Sequence, residues 1–477
     1  MSIVIDTIQS VAILLDMATA TEPSDRSANE PSPIRRRLFI ILTSITVAIG
    51  GLLFGYDTAV ISGAILFVRR EFHLGAFETE AAISVVLAGA LLGTAVGGYL
   101  GDRFGRRPIL ILVSAVYGIF ALTTGIANTP TVFMLSRLFV GAAAGISSML
   151  VPLYIAELAP KDIRGALVTL NQIAVSAGVV IAYYVDYLLS ASGNWRWMFM
   201  SAVVPSIVLL AGLMVLPETP RWLAIHGKFM DASQVLLRIE DSEMVSADME
   251  ELGQVAESAR LTFRDLRLRR FRRPLAVGIG VAIFQQITGV NIIVYYAPTI
   301  FQLVGFSNAG NAILATLLIG IVGLVATIIS MFLIDRVGRR ILLLISLGGM
   351  GVMLLHLSLL LGAPHPVKWA VVTDILVYLA AFDIGLGPIA WLLISEIYPT
   401  TIRAQAMSLA TTAIWASDFL VTSTFLTLLQ HLGMKGCFLM FAGLCLVGFL
   451  FSLRMVPETR GRTLEQIEAS WNSMGFF

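Results

Sequence analysis

The chain has 477 residues, 57% of them hydrophobic and 13% charged, with a mean hydropathy of +0.85. A soluble protein of this size needs far more charge, so the composition excludes a soluble enzyme and calls for an all-α polytopic membrane protein. A formal net charge of +1, with no basic domain set apart, gives nucleic acid no footing as a partner.

Residues 1–37 read as an N-terminal tail. Its apolar patch from Val11 to Leu15 is too short, and lacks the basic start, for a cleaved signal peptide. Thr21 to Pro33 is polar and rich in Ser and Pro, which predicts disorder. Arg35-Arg36-Arg37 then abuts the first apolar run as an anchor. Twelve spans follow, at about 38–68, 80–100, 108–127, 131–153, 164–190, 196–216, 274–303, 310–334, 340–361, 369–395, 402–430 and 436–456, given that ~20 apolar residues cross a bilayer. The organisation is therefore a half at 38–216, a polar, arginine-rich segment at 217–273 able to form short amphipathic helices, a second half at 274–457 and a tail at 458–477. About 26 Lys and Arg lie on the side of the termini and the central segment, against about five opposite, which makes that side cytoplasmic. The expected location is the plasma (inner) membrane, multi-pass, with both termini inside. Cys437 and Cys445 share the last apolar run and the five histidines are scattered, so neither a disulfide framework nor a metal site is expected.

The two halves repeat. Gly101-Asp102-Arg103-Phe104-Gly105-Arg106-Arg107 recurs as Ile334-Asp335-Arg336-Val337-Gly338-Arg339-Arg340. Glu157-Leu158-Ala159-Pro160 with Arg164 recurs as Glu396-Ile397-Tyr398-Pro399 with Arg403, and Pro217-Glu218-Thr219 as Pro457-Glu458-Thr459. The shared offset of roughly 233–240 residues means two six-helix halves in the same orientation, as in transporters that rock two halves about a midplane site. The repeated charges form a candidate gate. Asp102, Arg103, Arg106 and Arg107 can pair with Glu157, Arg164 and Glu218 across the cytoplasmic face, and Asp335, Arg336, Arg339 and Arg340 with Glu396, Arg403 and Glu458. Exposed pairs are weak one at a time, so a network is required. The alternative, orientation by the positive-inside rule alone, explains the arginines but not the acids. Small-residue runs, Gly93-x-x-x-Gly97 and Gly141-x-x-x-Gly145, predict close helix packing.

Polar residues inside spans carry the functional signal. Asp57 lies in the first span and Arg137 in the fourth, and a lone buried charge is costly, so the two are expected to pair. The seventh run holds Gln285, Gln286, Thr288, Asn291, Tyr295 and Tyr296. On a helix the first, third and fourth of these share nearly one face, with Gln286 beside them. Gly289 weakens the helix there, and Pro298 removes an amide hydrogen bond. Amides both donate and accept, so this face suits a polar, uncharged ligand; the competing reading is amides that only join helices.

GDRFGRR, PETPRWL after the sixth span, QQITGVNIIVYYAP, GPIAWLLISEIYP and the closing PETRGRTLEQIE resemble the sugar porter family of the major facilitator superfamily, over about Leu38 to Glu468. The likeness is to bacterial xylose or glucose proton symporters, which are related to facilitative glucose transporters. It implies alternating-access transport of a monosaccharide or polyol, with no enzyme activity, no cofactor beyond the proton as coupling ion, and a functional monomer in the bilayer. It assigns Asp57 and Arg137 to proton coupling. It assigns Gln172, Gln285, Gln286, Asn291, Tyr295, Tyr296 and Trp391 to sugar binding, the tryptophan facing the C–H side of a ring. The chain departs from the family at Ser201-Ala202-Val203, where some symporters carry a further carboxylate, and at Val179, Gly323 and Ile414, where polar amides are common. Asp186, Asp383 and Asp418 are added acids; Asp383 matches an acid of relatives, and Asp418 stands where many have Asn. Xylose or glucose fits such a site. A proton-independent facilitator and a non-transporting sugar sensor are the alternatives, the short stretch after the last span counting against the sensor.

Overall fold

The computed structural model describes residues 32–160, 163–240, 245, 249, 271–306, 308–363, 366–398 and 402–460, without the side chains of Asp335, Arg403 and Ala404. The described residues are almost entirely helical. The first span, Pro33–Glu71, begins earlier than the composition suggests. Pro33 suits the first helical turn and the Ser32 hydroxyl accepts the Arg35 N–H at 3.5 Å, so the arginine run 35–37 belongs to the helix and not to a tail.

Ala76–Phe104, Arg106–Gly125, Pro130–Leu158 and Arg164–Ser190 are spans two to five, and Trp195–Met200 with Val203–Val215 makes the sixth. Two short helices, Pro220–Ile225 and Phe229–Leu236, open the central segment. Most of the remainder of that segment, and the end of the chain past Arg460, lie outside the described residues. The second half comprises Arg272–Ile287 with Val290–Leu303, then Ala309–Val337, Arg339–Leu361, Lys368–Ile384 with Leu386–Glu396, and finally Arg403–Met455.

Among the described residues, eleven helical stretches are long and apolar enough to cross a bilayer, the last being Gln405–Met455 with 51 residues. At 1.5 Å per residue that stretch is about 76 Å long, over twice a ~30 Å hydrocarbon core. Gly433, at φ 66° and ψ 172°, breaks it into spans eleven and twelve. Side chains such as Val204 (67% exposed) and Leu92 (61%) line the outer surface, where a soluble protein would place charge.

Spans two and four pack closely, because Gly93, Gly141 and Gly145 let each backbone approach Ala142, Val86 and Ala90 of the other. The halves meet where span two packs on span eleven, span five on span eight, and span one on the second part of span seven. The end of the bundle carrying the arginine loops is called the basic end below, and the other the opposite end.

Candidate functional site

The seventh span is not one helix. Gly289 adopts φ 92°, ψ 14°, a left-handed conformation that glycine takes without a Cβ penalty, and a Cβ there would stand 2.9 Å from the Phe441 ring. The break frees backbone groups that the membrane interior cannot hydrate. The Thr288 carbonyl accepts the Tyr378 hydroxyl at 3.0 Å. The tenth span breaks likewise at Gly385 (φ −127°, ψ −87°), and the Leu386 N–H donates to Ser346 Oγ at 3.0 Å. Gln285 ties the two breaks together by donating from Nε2 to the Gly387 carbonyl at 2.7 Å.

Around that junction the amides of span seven form one network. Asn291 Nδ2 donates to Gln286 Oε1 at 2.7 Å, and Gln286 Nε2 approaches Gln285 Oε1 at 3.4 Å. Tyr295 donates to Asp418 at 3.4 Å and Thr422 to the same carboxylate at 3.1 Å, while Tyr296 donates to the Thr422 carbonyl at 3.1 Å. Both tyrosines are buried. Trp391 is 37% exposed and Gln172 half-buried; among the described residues no hydrogen bond joins Gln172 to the span-seven set. Asp383 and Gly323 prove to be neighbours: a Cβ on Gly323 would lie 2.8 Å from Asp383 Oδ2, so the acid of span ten occupies the room left by the glycine of span eight. Ile414 is buried, and the next residue, Trp415, packs edge-on against Phe54 of the first span at 5.5 Å.

Asp57 and Arg137 are in contact. The guanidinium donates to the carboxylate and, at 3.4 Å, to the Asp57 carbonyl, with the Phe199 ring 5.2 Å away. Arg137 is 1% exposed and Asp57 7%. Ser201, in the position where a further acid could have stood, shares the Tyr56 hydroxyl with the Met198 carbonyl. Asp186 is buried on Gly63, whose N–H donates to it at 3.1 Å.

The repeated charges assemble into two matching clusters, one per half. In the first, Arg106 lies 3.1 Å from Glu157 and 3.0 Å from Asp102, and Thr219 donates to Glu157 at 2.7 Å. Glu218 accepts the N–H groups of Arg106 and Arg107 at 3.2 and 3.1 Å, at the start of span three, where the helix dipole favours an anion. Burial lifts the Glu218 carboxyl above its ordinary range, opposed by the N–H donors of Thr219, Arg107 and Arg106 and by the Arg106 charge. In the second, Arg339 lies 3.3 Å from Glu396, Thr459 donates to Glu396 at 2.6 Å, and Glu458 accepts the N–H groups of Arg339 and Arg340 at 2.9 and 3.1 Å.

The residues grouped from the sequence come together in the same sets, Arg106 with Glu157 and Asp102, and Arg339 with Glu396. The hydrogen bonds and ion pairs given above for Arg106, Glu157, Glu218, Glu396 and Glu458 join residues of the same half. Arg103 sits on Tyr99, Arg107 and Arg340 bond the carbonyls of Met214 and Leu453, Arg164 bonds the Ala159 carbonyl, and Arg336 is exposed. The side chains of Asp335 and Arg403 lie outside the described residues. Thr219 and Thr459 take part as well, and their recurrence after Glu218 and Glu458 is the signal of it in the sequence.

Among the described residues, several hydrogen bonds join the halves toward the middle and the opposite end. Ser176 meets Thr327 at 3.2 Å, and Glu80 meets Thr427. The Tyr183 hydroxyl donates to the Val294 carbonyl at 2.9 Å. That carbonyl is the one Pro298, four residues on, leaves without a helical donor.

A family model described as "Sugar (and other) transporter" matches residues 43–471. The chain is 38% identical to the D-xylose transporter of Levilactobacillus brevis, over 89% of this chain and 94% of that one. It is 35% identical to the galactose-proton symporter of Escherichia coli K12, over 88% and 92%. In three dimensions it resembles the proton:xylose symporter XylE bound to 6-bromo-6-deoxy-D-glucose, with TM-score 0.79 and 31% identity, covering 91% of this chain and all of that one. It also resembles inward-open XylE from E. coli, with TM-score 0.77 and 30% identity, over 91% and 100%. With twelve spans, the repeated loops and these matches, the chain belongs to the sugar porter family of the major facilitator superfamily, a family of membrane transporters and not of enzymes.

Proposed function

We propose that this protein imports a monosaccharide together with a proton by alternating access. The observation that carries the reading is the buried Asp57–Arg137 pair, set in the first and fourth spans of a bundle whose other half presents a wall of amides. A charge pair removed from water holds only while both partners stay charged. Protonation of Asp57 releases Arg137 and changes how the first span sits against the seventh. The relatives that transport D-xylose, or galactose with protons, support a pentose or hexose as cargo. Gln172, Gln285, Gln286, Asn291 and Tyr295 or Tyr296 supply hydroxyl partners, and Trp391 the apolar face of the ring. Such a site rejects a sugar lacking a hydroxyl more strongly than one with an extra methylene.

In this reading the basic end faces the cytoplasm with both termini, in the plasma membrane, and the monomer is the working unit. The domain limits stay those of the two halves, 38–216 and 274–457, apart from the earlier start of the first helix. The contacts across the halves at the opposite end, Glu80 with Thr427 among them, close that side in this reading. The clusters around Glu157 and Glu396 stiffen each half so that it moves as one body. Uptake of xylose, glucose, galactose and myo-inositol into proteoliposomes, with and without an inward proton gradient, tests the assignment. Accumulation above equilibrium that a protonophore abolishes supports symport; equilibration alone leaves a facilitator in which the ion pair is static.

A further inference from the structure

Glu80 stands in the second turn of span two, at the opposite end, and is 1% exposed. Both carboxylate oxygens are given to one residue of the other half. Oε1 accepts the Thr427 N–H at 2.7 Å and Oε2 accepts the Thr427 hydroxyl at 2.8 Å. Among the described residues Glu80 forms no ion pair, and these two donors are the groups that hydrogen-bond its carboxylate. A carboxylate gripped at both oxygens by a single residue fixes the distance and the angle between spans two and eleven together. Beside it a small cavity lies between the halves, with Leu66, Arg69, Thr79, Thr299, Gln302 and Leu426 among the residues that line it.

We propose that Glu80 and Thr427 form the latch that holds the outer side of the transporter closed, a gating contact for the transport reaction; this rests on the alternating-access reading above. When the halves part at that end, Glu80 exchanges two protein donors for water. The exchange is nearly balanced, as for hydrogen bonds generally, so the latch biases the equilibrium without locking it. The two bonds are lost together, because both end on Thr427.

The test uses the full chain in right-side-out vesicles, with Thr299→Cys as reporter and a membrane-impermeant maleimide added outside; Cys437 and Cys445 are buried. Glu80→Ala should raise the labelling rate on the order of tenfold, the scale of lost hydrogen bonds to a charged group. Thr427→Val, which keeps the N–H, should give roughly threefold. Glu80→Gln should stay near the parent rate, since its amide can accept the N–H and donate to Thr427 Oγ1. Glu80→Ala with Thr427→Val should be no faster than Glu80→Ala alone. An unchanged rate in Glu80→Ala, or effects that multiply in the double variant, overturns the latch. If Glu80→Ala fails to fold, Thr427→Val against Glu80→Gln decides, and equal rates for both and the parent overturn it. Labelling needs no sugar. A latch that responds while no sugar moves therefore defeats the transport reading alone, and transport with labelling indifferent to Glu80 defeats the latch alone.

Discussion

The two charge clusters share their chemistry but not their burial, and that difference has a measurable consequence. Arg106 and Glu157 side chains are 6% and 4% exposed, whereas Arg339 and Glu396 are 13% and 23% exposed. Removing one partner of a buried pair leaves the other charge stranded, at about 3–5 kcal/mol; for a partly solvated pair water recovers much of that loss, leaving about 1 kcal/mol. Arg106→Ala leaves Glu157, among the described residues, with the Thr219 hydroxyl at 2.7 Å and also removes the donor to the Gly101 carbonyl at 3.0 Å. It should therefore shorten the lifetime of the monodisperse protein in detergent at fixed temperature far more than Arg339→Ala does. Arg106→Lys should not restore it, because an ammonium cannot present the planar fork that meets Glu157, Asp102 and Gly101 at once. Size-exclusion profiles after stepped heating measure this directly. Equal losses for the two alanine variants, or a larger loss at Arg339, would refute the argument from burial.

Three further outcomes follow from the same geometry. The Glu218 carboxyl titrates above its ordinary 4.5, with burial the leading cause, so its contribution to stability is full below pH 4.5 and is lost as pH rises through the raised value; Glu218→Gln should flatten that part of the pH–stability profile, and an unchanged profile counts against it. Trp391→Leu should weaken sugar binding by roughly 2–12-fold, the worth of an aromatic face beyond its area, with Trp391→Phe in between; equal affinities in a counterflow assay would remove the tryptophan from the site. Gly289→Ala forces a left-handed alanine against Phe441 and should cost about 1–2 kcal/mol or more, seen as a lower thermal midpoint than that of a control Gly165→Ala, which meets nothing within 4 Å.

Much of this architecture was legible because membranes leave few options. Apolar length, arginine asymmetry and the repeat around Asp102 and Asp335 led to twelve spans in two halves, and the cost of a lone buried charge led to the pairing of Asp57 with Arg137. The breaks were harder to read. Gly289 and Gly385 look like local weaknesses, yet their roles depend on donors far away in the chain, Tyr378 and Gln285, which no local pattern names. Pro298 announced a lost hydrogen bond but not that Tyr183 of the other half would supply it. Asp383 and Gly323 were noted singly, and only packing shows one filling the space of the other. The gate charges are a similar case: the repeat groups them, and the contacts described for each cluster join residues of the same half, while Glu80, one of the residues that do reach across, has no repeat to advertise it.

Coupling through Asp57 is the claim on which the functional account turns, and proton movement reports it most directly. Adding the transported sugar to lightly buffered proteoliposomes should make the outer medium more alkaline as proton and sugar enter together. In Asp57→Asn that signal should vanish while exchange of labelled sugar across the membrane persists. Alkalinisation of equal size in Asp57→Asn would contradict the account, leaving the Asp57–Arg137 pair a structural element and the proton to another path.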